Sequence, residues 1–132
     1  MQEFIYPLRV HIEDTDFSGL VYHANYLNFF ERARSEWVES LGFGIEWQRA
    51  HGLLFPVRSA KLDYLKPAYL HQKVEVVSQI KEIRRVSVLY DQYLRLQERP
   101  DTILCRAEVK IVCVDLNLKP RALPETFYGE PA

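Results

Sequence analysis

The chain has 132 residues, enough for one domain with a single sizeable core and too few for two independent ones. Its 17 Lys and Arg nearly cancel its 18 Asp and Glu, so no global field draws in nucleic acid or an anionic membrane, and an anionic ligand has to be held by a local patch. The opening Met1-Gln2-Glu3-Phe4-Ile5-Tyr6 lacks a basic region followed by an apolar run, and no stretch approaches the roughly 20 apolar residues that span a bilayer, which predicts a soluble, untargeted, cytoplasmic protein.

From Phe4 to Ile12 the even positions Phe4, Tyr6, Leu8, Val10 and Ile12 are apolar while the odd ones include Arg9 and His11, the period of a half-buried strand. Glu13 to Gly19 is rich in turn formers and reads as a loop. Tyr26, Phe30, Ala33, Trp37 and Leu41 then recur at spacings of three and four, with Glu31, Arg34, Ser35 and Glu39 elsewhere around the turn, so a long helix is predicted from Asn25 to Leu41, with Gly42 as its stop. Glu31-Arg32-Ala33-Arg34 reads most simply as a solvated face with charge pairs.

Gly44 to Gly52 suits a short helical turn, and from Phe55 onward the chain reads as strands. Ala60, Leu62 and Tyr64 alternate until Pro67; Val74, Val76, Ser78 and Ile80 alternate next. Val86, Val88, Tyr90, Leu94 and Leu96 make one face of a further strand, Gln97 to Asp101 a hairpin turn, and Thr102 to Asp115 the last strand. Cys105 and Cys113 fall in that last strand. Eight residues of extended chain separate them by about 26 Å, too far for a bridge, and two buried thiols suit a reducing compartment.

Strands joined by links too short for helical crossovers imply mostly antiparallel pairing, and the single long helix has to cover one face of the sheet. Leu62, Val77, Leu89, Val112 and Val114 are assigned to the other face, where a second subunit is the expected cover. One domain over residues 1–132 is therefore expected, α+β in class, with one long central helix wrapped by a mostly antiparallel five-stranded sheet. That sketch matches the hotdog arrangement, although periodicity alone fits other α+β folds as well.

The densest polar cluster is Glu13-Asp14-Thr15-Asp16, followed at short range by Gly19, Tyr22, His23, Asn25 and Tyr26. Taken singly these residues read as turn formers, caps and a structural histidine. Their order says more. Asp16 lies in the loop that enters the helix, Gly19 lets that loop bend back, and the free N–H groups at the helix start suit an oxygen that gains negative charge. A carboxylate there can attack a thioester carbonyl or take a proton from water, with no metal required. The chain also shows no clustered His/Cys motif at zinc-like spacing.

The run from Arg9 to Tyr26, with Asp16-Phe17-Ser18-Gly19-Leu20-Val21-Tyr22-His23 at its centre, resembles the signature of the 4-hydroxybenzoyl-CoA thioesterase family. Phe29-Phe30-Glu31-Arg32-Ala33-Arg34, Val112-Cys113-Val114-Asp115 and Lys119-Pro120-Arg121-Ala122-Leu123-Pro124 look like its YbgC branch, the Tol-Pal-associated acyl-CoA thioesterases. The resemblance runs from about Leu8 to Pro124. It implies the hotdog fold, a homodimer or homotetramer with sites between subunits, and hydrolysis of acyl-CoA to free acid and CoA. Coenzyme A is then part of the substrate and no cofactor is needed.

By the same resemblance the catalytic aspartate falls on Asp16, as base or nucleophile, and the position whose N–H polarises the thioester carbonyl falls on His23. Gly19, Tyr22 and Tyr26 fall near the acyl site or in the helix packing. Phe17 and Ser18 are bulkier than the residues some relatives carry there and bear on the size of the acyl pocket. Arg84 and Arg85, adjacent at a turn between strands, are the first candidates for the CoA phosphates, with Lys119 and Arg121 next. Two rivals use the same scaffold. A 2-enoyl-CoA hydratase would be expected to show an Asp-x-x-x-x-His pair, shorter than the Asp16 to His23 spacing. A non-catalytic module would bind acyl groups or acyl carrier protein without turnover.

Overall fold

The computed structural model describes residues 2–128. In chain order it contains β1 (Glu3–Arg9), a single 3-10 turn (Ile12–Asp14), α1 (Asn25–Ser40), α2 (Ile45–His51), β2 (Leu53–Leu54), β3 (Val57–Tyr64), β4 (Lys73–Ile83), β5 (Ser87–Leu96), β6 (Ile103–Val112) and β7 (Val114–Asp115). Five strands form one sheet in the order β1-β4-β5-β6-β3, every neighbouring pair antiparallel. β2 and β7 form a separate two-stranded ribbon. Register breaks at Val57/Ser59, Ile80/Glu82 and Leu94/Arg95 add the local twist that lets the sheet curve round a helix.

α1 lies on the concave face, and its Tyr26, Phe29, Phe30, Ala33, Trp37 and Val38 are buried against Val74, Val76, Val88, Tyr90, Leu94 and Val109. One row of cross-strand partners runs Phe4, Ser78, Gln92, Ala107, Leu62 over all five strands on this side. Leu62 therefore faces the helix, not the outer face to which alternation assigned it, and it packs against the core. Val114 leaves the sheet altogether and is buried in the ribbon.

The next row, Ile5, Val77, Tyr93, Arg106, Asp63, lies on the outer face. Here Glu75 pairs with Arg95 at 2.7 Å, Lys81 pairs with Glu108, and the guanidinium groups of Arg106 and Arg95 sit 5.3 and 5.9 Å from the Tyr93 ring centroid. Val77, Leu89 and Val112 keep the outer places assigned to them, but paired charges and Tyr93 surround them, so this face is mostly charged where an apolar surface was expected.

Three further expectations change. β1 stops at Arg9 because Asp14 takes the His11 N–H at 2.8 Å and closes the 3-10 turn, which leaves Ile12 71% exposed. The last strand splits at Cys113, whose N–H turns to Val86 O at 2.7 Å, so that Val114 and Asp115 pair with Leu54 and Leu53. Arg34 is not solvated: it is 7% exposed, donates to Gln92 Oε1 at 2.8 Å and pairs with Glu31 at 2.5 Å. Buried Gln92 in turn donates to Phe30 O at 3.1 Å and Ser78 Oγ at 2.9 Å, so one polar hub ties α1 to the middle of the sheet.

Candidate active site

The loop between β1 and α1 is built on Asp14. Asp14 is buried; its Oδ2 accepts the His11 N–H and its Oδ1 accepts Asn25 Nδ2, both at 2.8 Å, while its carbonyl takes the Tyr22 N–H at 2.9 Å. Asp14 thereby binds the loop's beginning to the first residue of α1.

Beyond it the chain makes a tight hairpin. Thr15 bridges Val21, Asp16 N–H donates to Leu20 O at 2.9 Å, and Gly19 N–H donates to Asp16 O at 3.1 Å. The three-residue loop Phe17-Ser18-Gly19 ends in the left-handed conformation, φ 82° at Gly19, which such loops require and glycine adopts without a Cβ clash. Phe17 stands fully exposed at the tip and does not line the cleft beside Asp16, so its bulk does not narrow that space.

The hairpin is pinned to the segment after β3. Val21 N–H donates to Ala68 O at 2.9 Å, and Leu70 N–H donates to Gly19 O at 3.0 Å. The Tyr26 hydroxyl accepts the Ala68 N–H at 3.1 Å, and the Tyr64 hydroxyl donates to His23 O at 2.8 Å. These bonds enclose a cleft of about 320 Å³ whose lining includes Asp16, Leu20, His23, Tyr26, Tyr64 and Lys66. Asp16 and His23, seven positions apart in sequence, thus share one cavity. The backbone N–H groups of His23 and Ala24 meet no acceptor among the described residues, and they precede α1 at its positive end.

Asp16 Oδ1 accepts both the Ser18 N–H at 2.9 Å and the Ser18 hydroxyl. The hydroxyl bond first, then the N–H bond, holds this exposed carboxyl below its ordinary range, so it is a carboxylate at neutral pH. Burial pushes the Tyr26 and Tyr64 phenols up, which keeps both neutral. Behind Tyr64, burial pushes the Cys105 thiol up to about 12, which removes it as a nucleophile.

The remaining candidates separate. Tyr22 is half exposed, holds its ring centroid 4.5 Å from that of His23 at a tilt of 52°, and stands at the rim outside the cleft lining. Arg84 and Arg85 lie in the turn after β4, whereas the site loop attaches near Lys73 at its start; β4 has 11 residues, roughly 35 Å of extended chain. One protomer does not bring those arginines to Asp16. Arg84 pairs with Glu82, and Arg121, named with Lys119 as the next candidates, pairs with Asp115 at 2.7 Å. Sequence reasoning placed Ser18 by the acyl pocket without its bonds to Asp16, and gave Tyr64 and Lys66 no place in the site; the one signal for the last two was Pro67, which ends a strand beside an aromatic. A second cavity of about 360 Å³ opens farther along α1 near Val38, Phe55 and Phe127, and its Glu31 carboxylate is engaged by Arg34. Among the described residues no three His, Cys, Asp or Glu are grouped as a metal set. Nor is any helix among them long and apolar enough to cross a membrane.

Residues 10–129 match the sequence model of the thioesterase-like superfamily. The acyl-CoA thioester hydrolase YbgC of Escherichia coli O6:H1 is 41% identical over 128 residues, covering 96% of this chain and 94% of that protein. The acyl-CoA thioesterase YbgC of Helicobacter pylori is 46% identical over 126 residues, covering 90% of this chain and 92% of its own. A crystal structure of a probable thioesterase from Bartonella henselae superposes with a TM-score of 0.85 at 34% identity, over 93% of this chain and all of that one. With the sheet order described above, these matches show the α+β hotdog fold.

Proposed function

The chain belongs to the thioesterase-like superfamily, and from that membership we propose that it is an acyl-CoA thioesterase with Asp16 as its catalytic carboxylate. The observation that carries this reading is the meeting, in one cleft, of an ionised carboxylate and His23, a residue whose backbone N–H is unengaged. Asp16 either takes the proton from a water that attacks the thioester carbon, or attacks that carbon itself to form an anhydride that water then opens. In both routes the carbonyl oxygen gains negative charge and is met by the His23 N–H, and the carbon–sulfur bond breaks to release CoA. Tyr26 walls the acyl end, Gly19 shapes the turn that presents Asp16, and Tyr22 stands at the rim.

Assembly supports a role for the two arginines. β3 is an unpaired edge, and near its ends Val57, Tyr64 and Leu65 are 48%, 50% and 53% exposed. Antiparallel pairing of β3 with the same strand of a second copy makes a homodimer and sets the partner's Val57 beside Tyr64. Val57 is in register with Ile111, Val88 and Ile83 across the sheet. The partner's Arg84 and Arg85 then lie on the cleft's side at roughly 15–20 Å, within reach of the phosphates of bound CoA.

The YbgC likeness also carries proposals of a Tol-Pal association, a homotetramer of such dimers and acyl carrier protein as an alternative carrier of the acyl group. A cytoplasmic location agrees with the two buried free thiols. Incubation of the pure protein with a panel of acyl-CoAs and a thiol reagent tests the activity. Direct release of CoA thiol is expected. Saturable binding without thiol release would instead favour a non-catalytic acyl-binding or carrier-binding module, and hydration of 2-enoyl-CoA a hydratase.

A further inference from the structure

Ser18 occupies the third position of the Asp16-Phe17-Ser18-Gly19 turn, where the chain folds back so that its N–H and its hydroxyl converge on one oxygen, Asp16 Oδ1. Asp16 Oδ2 accepts no such hydrogen bond among the described residues. We propose that Ser18 is the positioning residue of this site: by holding Oδ1 twice it fixes the carboxylate plane and presents Oδ2 as the oxygen that meets water or the thioester carbon. The inference rests on Asp16 being the catalytic carboxylate.

Two physical consequences follow from donors that favour the ionised form. The carboxylate is kept in one orientation without an ion pair, and it stays charged to lower pH. The other ionisable groups facing the cleft are His23 from the loop, Tyr26 from α1, and Tyr64 and Lys66 from the end of β3 and the segment after it. Asp14 is turned away into its bonds with His11 and Asn25. None of these groups makes a hydrogen bond or ion pair with the Asp16 carboxylate; Ser18 supplies the two hydrogen bonds on Oδ1, and the Leu20 N–H acts on the carboxylate as a weaker third donor.

The direction is fixed by the sign of the effect. A base that must be ionised works above its pKa, and the Ser18 hydroxyl lowers that pKa. Its removal therefore moves the acid limb of kcat/KM to higher pH. Ser18→Ala removes the hydroxyl while keeping the N–H, and Ser18→Thr restores a hydroxyl on the same carbon. Rates are read from pH 3 to 8 with a dithiodipyridine thiol assay, which responds in acid, and folding at each pH is checked by circular dichroism. In parallel, the Asp16 carboxyl carbon is titrated by NMR in ¹³C-aspartate-labelled protein and identified by its loss in Asp16→Asn.

In Ser18→Ala both the acid limb and the carbon titration are expected to rise by about half to one pH unit, and in Ser18→Thr to return. An acid limb and a carbon titration unmoved in Ser18→Ala, with Asp16→Asn inactive, would overturn the role of Ser18 alone. A uniform loss of rate across the pH range with no shift would assign Ser18 to the turn's structure and overturn it too. Asp16→Asn with wild-type turnover would overturn the Asp16 reading together with this one.

Discussion

At Asp14 each carboxylate oxygen is used separately, one by the His11 N–H and one by the Asn25 amide, whereas at Asp16 both bonds fall on a single oxygen. Two aspartates in one short loop are thereby divided between structure and chemistry. Asp14→Asn sets an NH₂ group against a donor inside a buried site. It is expected to cost about 1–3 kcal/mol in urea unfolding and to slow turnover by loosening the start of α1. Asp16→Asn, at an exposed position, is expected to leave the unfolding midpoint unchanged. Equal midpoints for the two variants would contradict this division. The order Asp16, Gly19, His23 and the loop's position before a helix were legible in the residues, and the resemblance singled out Asp16 from Asp14. The Ser18 bonds were not legible, because they depend on how one turn folds back, and the exposure of Phe17 at the hairpin tip was not legible either.

Along α1 the expected apolar face is buried, but its polar residues are not all on the solvent side. Arg34 reaches the sheet through Gln92, and its guanidinium lies 5.8 Å from the Tyr90 ring centroid. Gln92→Ala leaves the buried Arg34, the Phe30 carbonyl and the Ser78 hydroxyl short of a partner. A loss of about 2–4 kcal/mol in urea unfolding is expected. The double variant Arg34→Met with Gln92→Leu is expected to recover part of that loss by exchanging the polar hub for apolar packing. A Gln92→Ala midpoint equal to that of the wild type would show that the hub contributes nothing.

Period-two and period-3.6 patterns located the helix and all five sheet strands. They erred where a hydrogen bond overrides alternation, as at Asp14 and Cys113, and where a buried polar side chain finds its partners only in three dimensions, as at Arg34. Leu62 was assigned to the wrong face because a single strand's alternation carries no sign until its register with β6 is known.

For the whole molecule, the outer face of paired charges shifts the expected contact between copies from the sheet's face to the β3 edge. A dimer or larger assembly is expected in sedimentation at micromolar concentration. Mixing subunits tests the proposed site directly. Asp16→Asn dimers and Arg84→Ala/Arg85→Ala dimers, exchanged with one another, form heterodimers in which one cleft has both an intact Asp16 and a partner with intact arginines. Low-KM turnover is expected to return on mixing if the arginines act across the interface, and to stay lost if they act within one subunit. The central claim is that Asp16 performs thioester hydrolysis. It is tested most directly by comparing CoA release from the same acyl-CoA by wild-type protein and by folded Asp16→Asn. Asn fills the same space but is neither base nor nucleophile, so kcat is expected to fall by roughly a hundredfold or more. A folded Asp16→Asn protein that releases CoA at near the wild-type rate would contradict the claim.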